Sequence, residues 1–76
     1  TEIEFDDHGN LQSIDCKRNA IPQGIVPELI MSFVALHYPD QIAVEYHVER
    51  RTLNLELNSG VELIFDLEGQ FLRIDD

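Results

Sequence analysis

The strongest constraint on the fold lies toward the end of the chain, where apolar and polar residues alternate. Leu53, Leu55 and Leu57 alternate with polar residues, and residues 61–65 repeat the pattern. Such a period of two indicates strands with one buried and one solvated face. Asn, Asp and Gly residues between these runs supply the chemistry of tight turns. The sequence therefore predicts an antiparallel meander of three strands, over residues 52–58, 61–66 and 70–75.

A helix and a further strand are predicted ahead of this meander. The helix spans 25–38: Pro27 suits its first turn, where a missing N–H has no partner to lose, and Pro39 ends it. The strand spans 42–49, with Ile42, Val44, Tyr46 and Val48 on one face and Ala43, Glu45, His47 and Glu49 on the other. We therefore expect an α+β fold in which one helix packs on an antiparallel β-sheet.

The predicted helix is apolar around much of its circumference. One stripe at helical spacing comprises Val26, Leu29, Ile30, Phe33 and Leu36. A second stripe, well round from the first, comprises Pro27, Met31, Val34 and Tyr38. One sheet covers one stripe, so we expect a core formed by Phe33, Leu36, Leu55, Leu63 and Phe65. The second stripe then needs another cover or remains an exposed patch.

Residues 1–15 are similar to residues 61–75 at an offset of 60, without a gap. The identical pairs are Glu2/Glu62, Phe5/Phe65, Asp6/Asp66, Gly9/Gly69, Ile14/Ile74 and Asp15/Asp75. This similarity predicts an internal repeat, in which 1–15 is the last hairpin of an incomplete first unit and 16–76 is a complete second unit. A hairpin over 2–15 would then extend the sheet. The alternative is a chance similarity of two Asp-x-x-Gly hairpins.

Length and charge restrict the function classes. A chain of 76 residues makes one domain, and 15 acidic against 5 basic residues give a formal charge of −10. That charge repels phosphate backbones and anionic lipid, so we expect no nucleic-acid partner and no membrane insertion. The single Cys16 cannot form an internal disulfide. We expect it to be a half-buried structural residue, with an intermolecular bridge or a reactive thiol as the alternative.

Four stretches, taken in order, are similar to a known family. They are Ile-Pro-x-x-Ile at 21–25, His-Tyr-Pro-Asp at 37–40, Val-Glu-Arg-Arg at 48–51, and the meander at 55–76. The chain resembles the PepSY-like, β-lactamase-inhibitor-like (BLIP-like) proteins of bacterial envelopes, whose members typically carry two helix-plus-meander units. The resemblance implies a half-repeat followed by one full repeat, a periplasmic or secreted location, and no enzymatic activity or cofactor.

Polar residues on the predicted solvated face form a candidate protein-binding surface. Its members are Glu45, His47, Asn54, Glu56, Glu62 and Ile64. Carboxylates beside a histidine suit a metal, but a solvated strand face has the same composition, and we predict no metal there. Ile64 is apolar on this polar face; a lone exposed Ile is ordinary, and the alternative is that it contributes to a docking surface beside His47 and Glu56. We therefore predict a non-enzymatic interaction module, inhibitor-like or sensory, with an unidentified protein partner.

A calcium- or small-ligand-responsive module is the alternative function. Two turns offer the hard oxygen ligands that Ca²⁺ prefers: Asp6, Asp7 and Asn10 in one, and Asp66 and Glu68 in the other. Neither turn has the length or ligand count of a known calcium loop, and ordinary turn chemistry also explains these residues. His8, His37 and His47 have no sequence link to a nucleophile, so catalysis is not predicted.

The sequence also predicts a homodimer. Its contact would be the second helical stripe, Pro27, Met31, Val34 and Tyr38, or the edge of the N-terminal hairpin, or both. An unpaired edge strand invites another chain, and exchange of a repeated element is a direct route to a two-fold dimer. The alternative is a monomer in which the connection 16–24 folds over Met31 and Val34.

Overall fold

The computed structural model describes residues 1–75 and shows one α-helix and six β-strands in this range. In chain order they are β1 (Glu2–Phe5), β2 (Leu11–Asp15), α1 (Glu28–His37), β3 (Ala43–Val48), β4 (Thr52–Leu57), β5 (Glu62–Asp66) and β6 (Phe71–Asp75). Residue 76, the end of the predicted second unit, lies outside the described residues. The α+β class, with one helix on an antiparallel sheet, is confirmed.

The strands form a single open sheet in the order β1-β2-β3-β4-β5-β6, and every neighbouring pair is antiparallel. Tight turns join all consecutive strands except β2 and β3, which are connected through α1. Because β2 still pairs with β3, the N-terminal hairpin extends the sheet of the meander, as expected. The helix packs on one face of the sheet and leaves the other face open.

The two hairpins predicted to be repeats have the same turn geometry. The Oδ1 atom of Asp6 accepts two backbone N–H groups of its turn at 2.8 and 2.9 Å, and Asp66 does the same at 2.9 and 2.9 Å. Gly9 and Gly69 both adopt positive φ, at 82° and 90°, where a Cβ atom would be strained. The shared Asp-x-x-Gly sequence explains this agreement. The division of the chain into an incomplete and a complete unit stays a prediction.

The helix is shorter than predicted at both ends. Pro27 (φ −52°, ψ 140°) flanks its start, because this extended ψ lies outside the helical region, and the helix begins at Glu28. Tyr38 (φ −135°, ψ 58°) ends it, since the ring of Pro39 disfavours helical backbone at the preceding residue.

The buried side of α1 lies between the two predicted stripes. Val26, Ile30 and Val34 are buried and Tyr38 packs against the core, so a ridge of every fourth residue faces the sheet. Leu36 is 74% exposed, and its assignment to the core is wrong. When both stripes are apolar, periodicity cannot decide which part of the circumference meets the sheet.

The centre of the core agrees with the prediction. Leu55, Leu63 and Phe65 are fully buried, while Phe33 is half-buried. The rings of Phe33 and Phe65 meet edge to face with centroids 5.4 Å apart. Cys16 is fully buried in the same cluster rather than half-buried, which makes a structural role the better interpretation of this free thiol.

Strand β3 departs from regular alternation near its start. Ala43 pairs with Leu57 but Glu45 pairs with Glu56, so the register shifts by one residue. This β-bulge brings Ala43 into the core, whereas Val44 is buried outside the core cluster. The predicted faces of these two residues are therefore wrong. From Glu45 onward the alternation holds, and the predicted polar face is preserved.

Candidate interaction surface

The face of the sheet opposite α1, called here the open face, is the candidate functional surface. No helix or strand within residues 1–75 covers it. Side chains of all six strands reach this face at alternate positions, so the strand register determines which of them become neighbours. Groups from distant parts of the sequence meet on this surface.

A continuous row of six carboxylates crosses the open face, one from each strand. The directly paired positions are Glu2, Asp15, Glu45, Glu56, Glu62 and Asp75. Neighbouring strands lie about 4.8 Å apart, so the row is about 24 Å long. Like charges directly opposite each other on a sheet are destabilising. The fold therefore keeps a line of unneutralised negative charge at this place, called here the carboxylate row.

A second row of paired residues runs beside the first and is mostly uncharged. Its members are Glu4, Ser13, His47, Asn54, Ile64 and Arg73. The Ser13 hydroxyl donates to Oε1 of Glu4 at 3.0 Å, and His47 Nε2 lies 3.5 Å from Oε2 of Glu45. The latter is the one contact of ion-pair geometry found among residues 1–75, and it is an ion pair only when the imidazole is protonated, so most charges of the two rows have no direct counter-ion there.

The electrostatics of the carboxylate row show in two neighbouring carboxyls. Burial, followed by the charges of Asp15 and Glu56, raises the pKa of Glu45. The backbone N–H of Lys17, which donates to Asp15 Oδ1 at 2.8 Å, holds the pKa of Asp15 below its usual value. Asp15 therefore keeps its negative charge to lower pH. The charged form of Glu45 is the one that the neighbouring carboxylates destabilise.

The structure brings all six predicted binding residues together. Glu45, Glu56 and Glu62 are consecutive in the carboxylate row, and the other three are consecutive in the second row. Ile64 is only 2% exposed, so its prediction as an exposed docking residue is wrong. Its cross-strand neighbours are Asn54 in β4 and Arg73 in β6. The binding role of the remaining five stays a prediction.

Three carboxylates from β1, β2 and β6 are absent from the predicted surface. Glu2, Asp15 and Asp75 complete the carboxylate row, yet they lie far from Glu45 in sequence. The internal repeat held a signal for them, since Glu2 and Asp15 match Glu62 and Asp75. Alignment of the repeats shows which positions are equivalent but not that the two hairpins join one sheet.

The second helical stripe is not a continuous exposed surface. Pro27 and Met31 are exposed, but Val34 is buried in the core and Tyr38 is half-buried against it. The stripe as predicted for a dimer contact is therefore wrong at Val34, because that side chain faces the sheet. A mainly apolar groove of about 630 Å³ separates Met31 from the connection at 21–27.

Within residues 1–75, the candidate serine, histidine and carboxylate side chains are not grouped around one point. Ser13 and His47 are cross-strand partners, but the Ser13 hydroxyl donates to Glu4 instead of the imidazole. Within residues 1–75, no group of three or more His, Cys, Asp or Glu side chains has a metal-binding arrangement. The carboxylate row is linear and does not converge on a point. In the turns, Asp6 and Asp66 each commit Oδ1 to backbone N–H groups.

The chain belongs to the PepSY-like family described as "Putative beta-lactamase-inhibitor-like, PepSY-like", whose model matches residues 1–73. The resemblance seen in the sequence is thereby confirmed. No match is found among curated proteins.

Solved structures with the same fold include proteins from Bacteroides species. A protein from Bacteroides vulgatus, described as a "putative periplasmic protein of unknown function", is 31% identical, with a TM-score of 0.92. A protein from Bacteroides thetaiotaomicron, called a "putative calcium-regulated periplasmic protein", is 32% identical, with a TM-score of 0.91. The matches cover 97% of this chain but only 59% and 58% of those chains. In the described range, the helix is too short and insufficiently apolar to cross a bilayer.

Proposed function

We propose that this chain is a non-enzymatic protein-interaction module of the bacterial envelope, and that it binds its partner on the open face. The carboxylate row is the observation that carries the proposal. Six paired carboxylates stand on a face that no helix within residues 1–75 covers, although their mutual repulsion lowers stability. A cationic partner surface would relieve the repulsion between these carboxylates, so this face favours a positively charged partner. The periplasmic relatives support an envelope location.

The charge pattern specifies the chemistry of the partner. A protein surface with several Lys or Arg side chains along a line would match the carboxylate row. Complementary charge speeds diffusional encounter and fixes register, and it contributes less to raw affinity. The polar second row beside it offers hydrogen bonds through His47, which is half-exposed, whereas Oδ1 of Asn54 is buried without a hydrogen-bond partner. The family name is compatible with an inhibitory role, and a sensory role would use the same surface.

A capture experiment with paired charge variants tests this proposal. The wild-type chain is immobilised and exposed to a periplasmic extract, next to a row variant, Glu45→Lys with Glu56→Lys. The control is Asp40→Lys with Glu68→Lys, which changes the net charge equally at exposed positions outside the sheet. We expect a protein retained by wild type and control but lost by the row variant and at high salt. Equal retention by both variants would place binding elsewhere and refute the open-face proposal.

A calcium-responsive module is the second candidate, and one observation favours it. A relative of the same fold is called a "putative calcium-regulated periplasmic protein". The acidic turns keep one oxygen on each aspartate available, but the other is held by the backbone. A ligand that binds only the folded chain raises its melting temperature with concentration.

Calcium titration separates specific binding from general screening. The melting temperature is followed with CaCl₂, MgCl₂ and NaCl at matched ionic strength, because any salt weakens the repulsion in the row. A rise with calcium that magnesium and sodium do not reproduce supports the second candidate. Equal rises with all three salts would show screening alone and would remove it. The capture experiment is repeated with and without calcium to determine whether the two functions are linked.

A further inference from the structure

The outer edge of β6 is an apolar strand edge with no neighbour among residues 1–75. All five residues of β6 are exposed, and they include Phe71, Leu72 and Ile74. Ile74 is 47% exposed although it lies on the helix side of the sheet, opposite Leu63. Free backbone N–H and C=O groups beside exposed apolar side chains make such an edge a template for another strand.

Strand β2 provides a precedent within the same molecule. It is the repeat equivalent of β6, and both strands carry one extra residue at the same place, Gln12 in β2 and Leu72 in β6. Despite this bulge, the far edge of β2 pairs with β3 through Ser13, Ile14 and Asp15. The equivalents of these three are residues 73–75. A strand with this geometry therefore accepts an antiparallel neighbour over the same segment that is unpaired in β6.

The charges of β6 favour a second copy of this chain as that neighbour. In an antiparallel pair centred on Ile74, each Ile74 faces its counterpart, and each Arg73 faces Asp75 of the other copy. Arg73 is the one Lys or Arg within the six strands, since the other four lie in turns. Asp75 ends the carboxylate row. The second copy would thus place its Arg73 next to the end of the carboxylate row. An acidic strand without such a cation would add further repulsion there.

The same comparison disfavours the N-terminal edge. Strand β1 is the other outer strand of the sheet, and it was one of the predicted dimer contacts. An antiparallel self-pair of β1 centred on Ile3 would oppose Glu2 and Glu4 of the two copies on the open face. Like charges directly opposite are destabilising, whereas the β6 pair joins opposite charges. Both outer strands expose apolar side chains, but the charges favour self-pairing of β6 over self-pairing of β1.

An apolar groove lies next to the β6 edge on the helix side of the sheet. Its volume is about 410 Å³, and its lining includes Leu29, Phe33, Leu36 and Phe71. In a two-fold β6 pair both helices lie on the same face of a continuous sheet, so the two grooves face each other across the joint. Their exposed leucines are then available to the second copy. The groove and the edge thus form one surface, and burial of both drives association.

We propose that the chain forms a symmetric homodimer in which β6 pairs antiparallel with β6 of a second copy, in the register centred on Ile74. The dimer has a continuous twelve-stranded sheet, twice the six strands of one chain. Its open face carries two carboxylate rows, linked by two Arg73–Asp75 pairs. Two identical acidic surfaces on one side would suit a partner with two basic sites.

A charge exchange between Arg73 and Asp75 tests the register. Molecular mass is measured by light scattering and sedimentation equilibrium over micromolar to submillimolar concentrations, and we expect wild type to dimerise within this range. Arg73→Asp and Asp75→Arg each create two like-charge contacts and should weaken the dimer about tenfold or more. The double variant, Arg73→Asp with Asp75→Arg, restores opposite charges and the wild-type dissociation constant.

Two controls keep the result interpretable. Arg51→Asp makes the same change of net charge as Arg73→Asp, but in a turn, and should leave the dimer intact. Circular dichroism and melting of each variant establish that it is folded, as expected for exposed positions. A wild-type monomer throughout the concentration range would overturn the proposal. The proposal would also be overturned if the β6 charge variants left the dissociation constant of the dimer unchanged and Ile3→Glu dissociated it, because that result places the contact at β1.

Discussion

Phe65 and Phe5 offer a matched test of how the sheet and helix share the burial of apolar residues. They occupy the same place in the two repeated hairpins, and each pairs with an apolar residue across its hairpin. Phe65 is 0% exposed beneath α1, whereas Phe5 is 62% exposed. The sequence around them is similar, so any difference in their contribution to stability arises from the tertiary environment.

The expected magnitudes follow from this burial. Phe65→Ala removes a fully enclosed ring that contacts Phe33 and Phe71 at centroid distances of 5.4 and 5.7 Å. Such a change costs about 3–5 kcal/mol. A domain of this length has an unfolding free energy of about 4–11 kcal/mol, so little stability would remain. Phe5→Ala removes a ring with under half of its surface covered, and should cost about 1 kcal/mol or less.

Urea unfolding followed by circular dichroism measures both values at neutral pH. Phe65→Leu and Phe5→Leu accompany the alanine variants, so that a comparison remains if Phe65→Ala does not fold. We expect the Phe65 substitutions to lower the melting temperature far more than the Phe5 substitutions, by about 12 °C or more for Phe65→Ala. Equal losses at the two positions would refute the argument, because they would mean that Phe5 is covered as well as Phe65.

Three further measurements probe the row, the turns and the core. Glu45→Gln should raise the unfolding free energy by about 0.2–1 kcal/mol at neutral pH. Because the fold raises the pKa of Glu45, this gain should disappear below about pH 4.3, where the carboxyl is protonated in both states; a gain that persists in acid would contradict it. Gly69→Ala should destabilise more than Gly9→Ala in urea titrations: both have positive φ, but only at Gly69 would the new Cβ atom lie 3.1 Å from Cδ2 of Leu29. The thiol of Cys16 should react with a disulfide reagent only as fast as the chain unfolds, and rapid labelling of the native protein would disprove its burial.

Sequence reasoning succeeded where a residue pattern has one structural solution. Alternation from Leu53 onward and the two Asp-x-x-Gly turns allow hairpins and little else, and those strands were located to within one or two residues. The polar positions Glu45, Glu56 and Glu62 were assigned to one face for the same reason, and they are neighbours in the structure. The repeat also identified the N-terminal hairpin before its place in the sheet was known.

Sequence reasoning failed where two solutions have the same pattern. Leu36 and Val34 are both apolar at helical spacing, and only the orientation of α1 on the sheet exposes one and buries the other. The bulge at Ala43 and Val44 leaves no mark in composition, since both residues suit either face. Ile64 is an apolar residue on a polar face, and its 2% exposure follows from its place between β4 and β6, which the sequence of β5 does not reveal.

The sequence by itself determined the elements, the turns, the acidic character and the family of this protein, because each depends on local pattern or composition. Only the tertiary structure decided that six distant carboxylates form one row, because their alignment depends on the register of five strand pairs. It also decided that Phe65 is enclosed and Phe5 is not, although the two hairpins share their turn sequence and geometry. A single helix covers one part of the sheet, and its position is set by packing between elements rather than by any single segment.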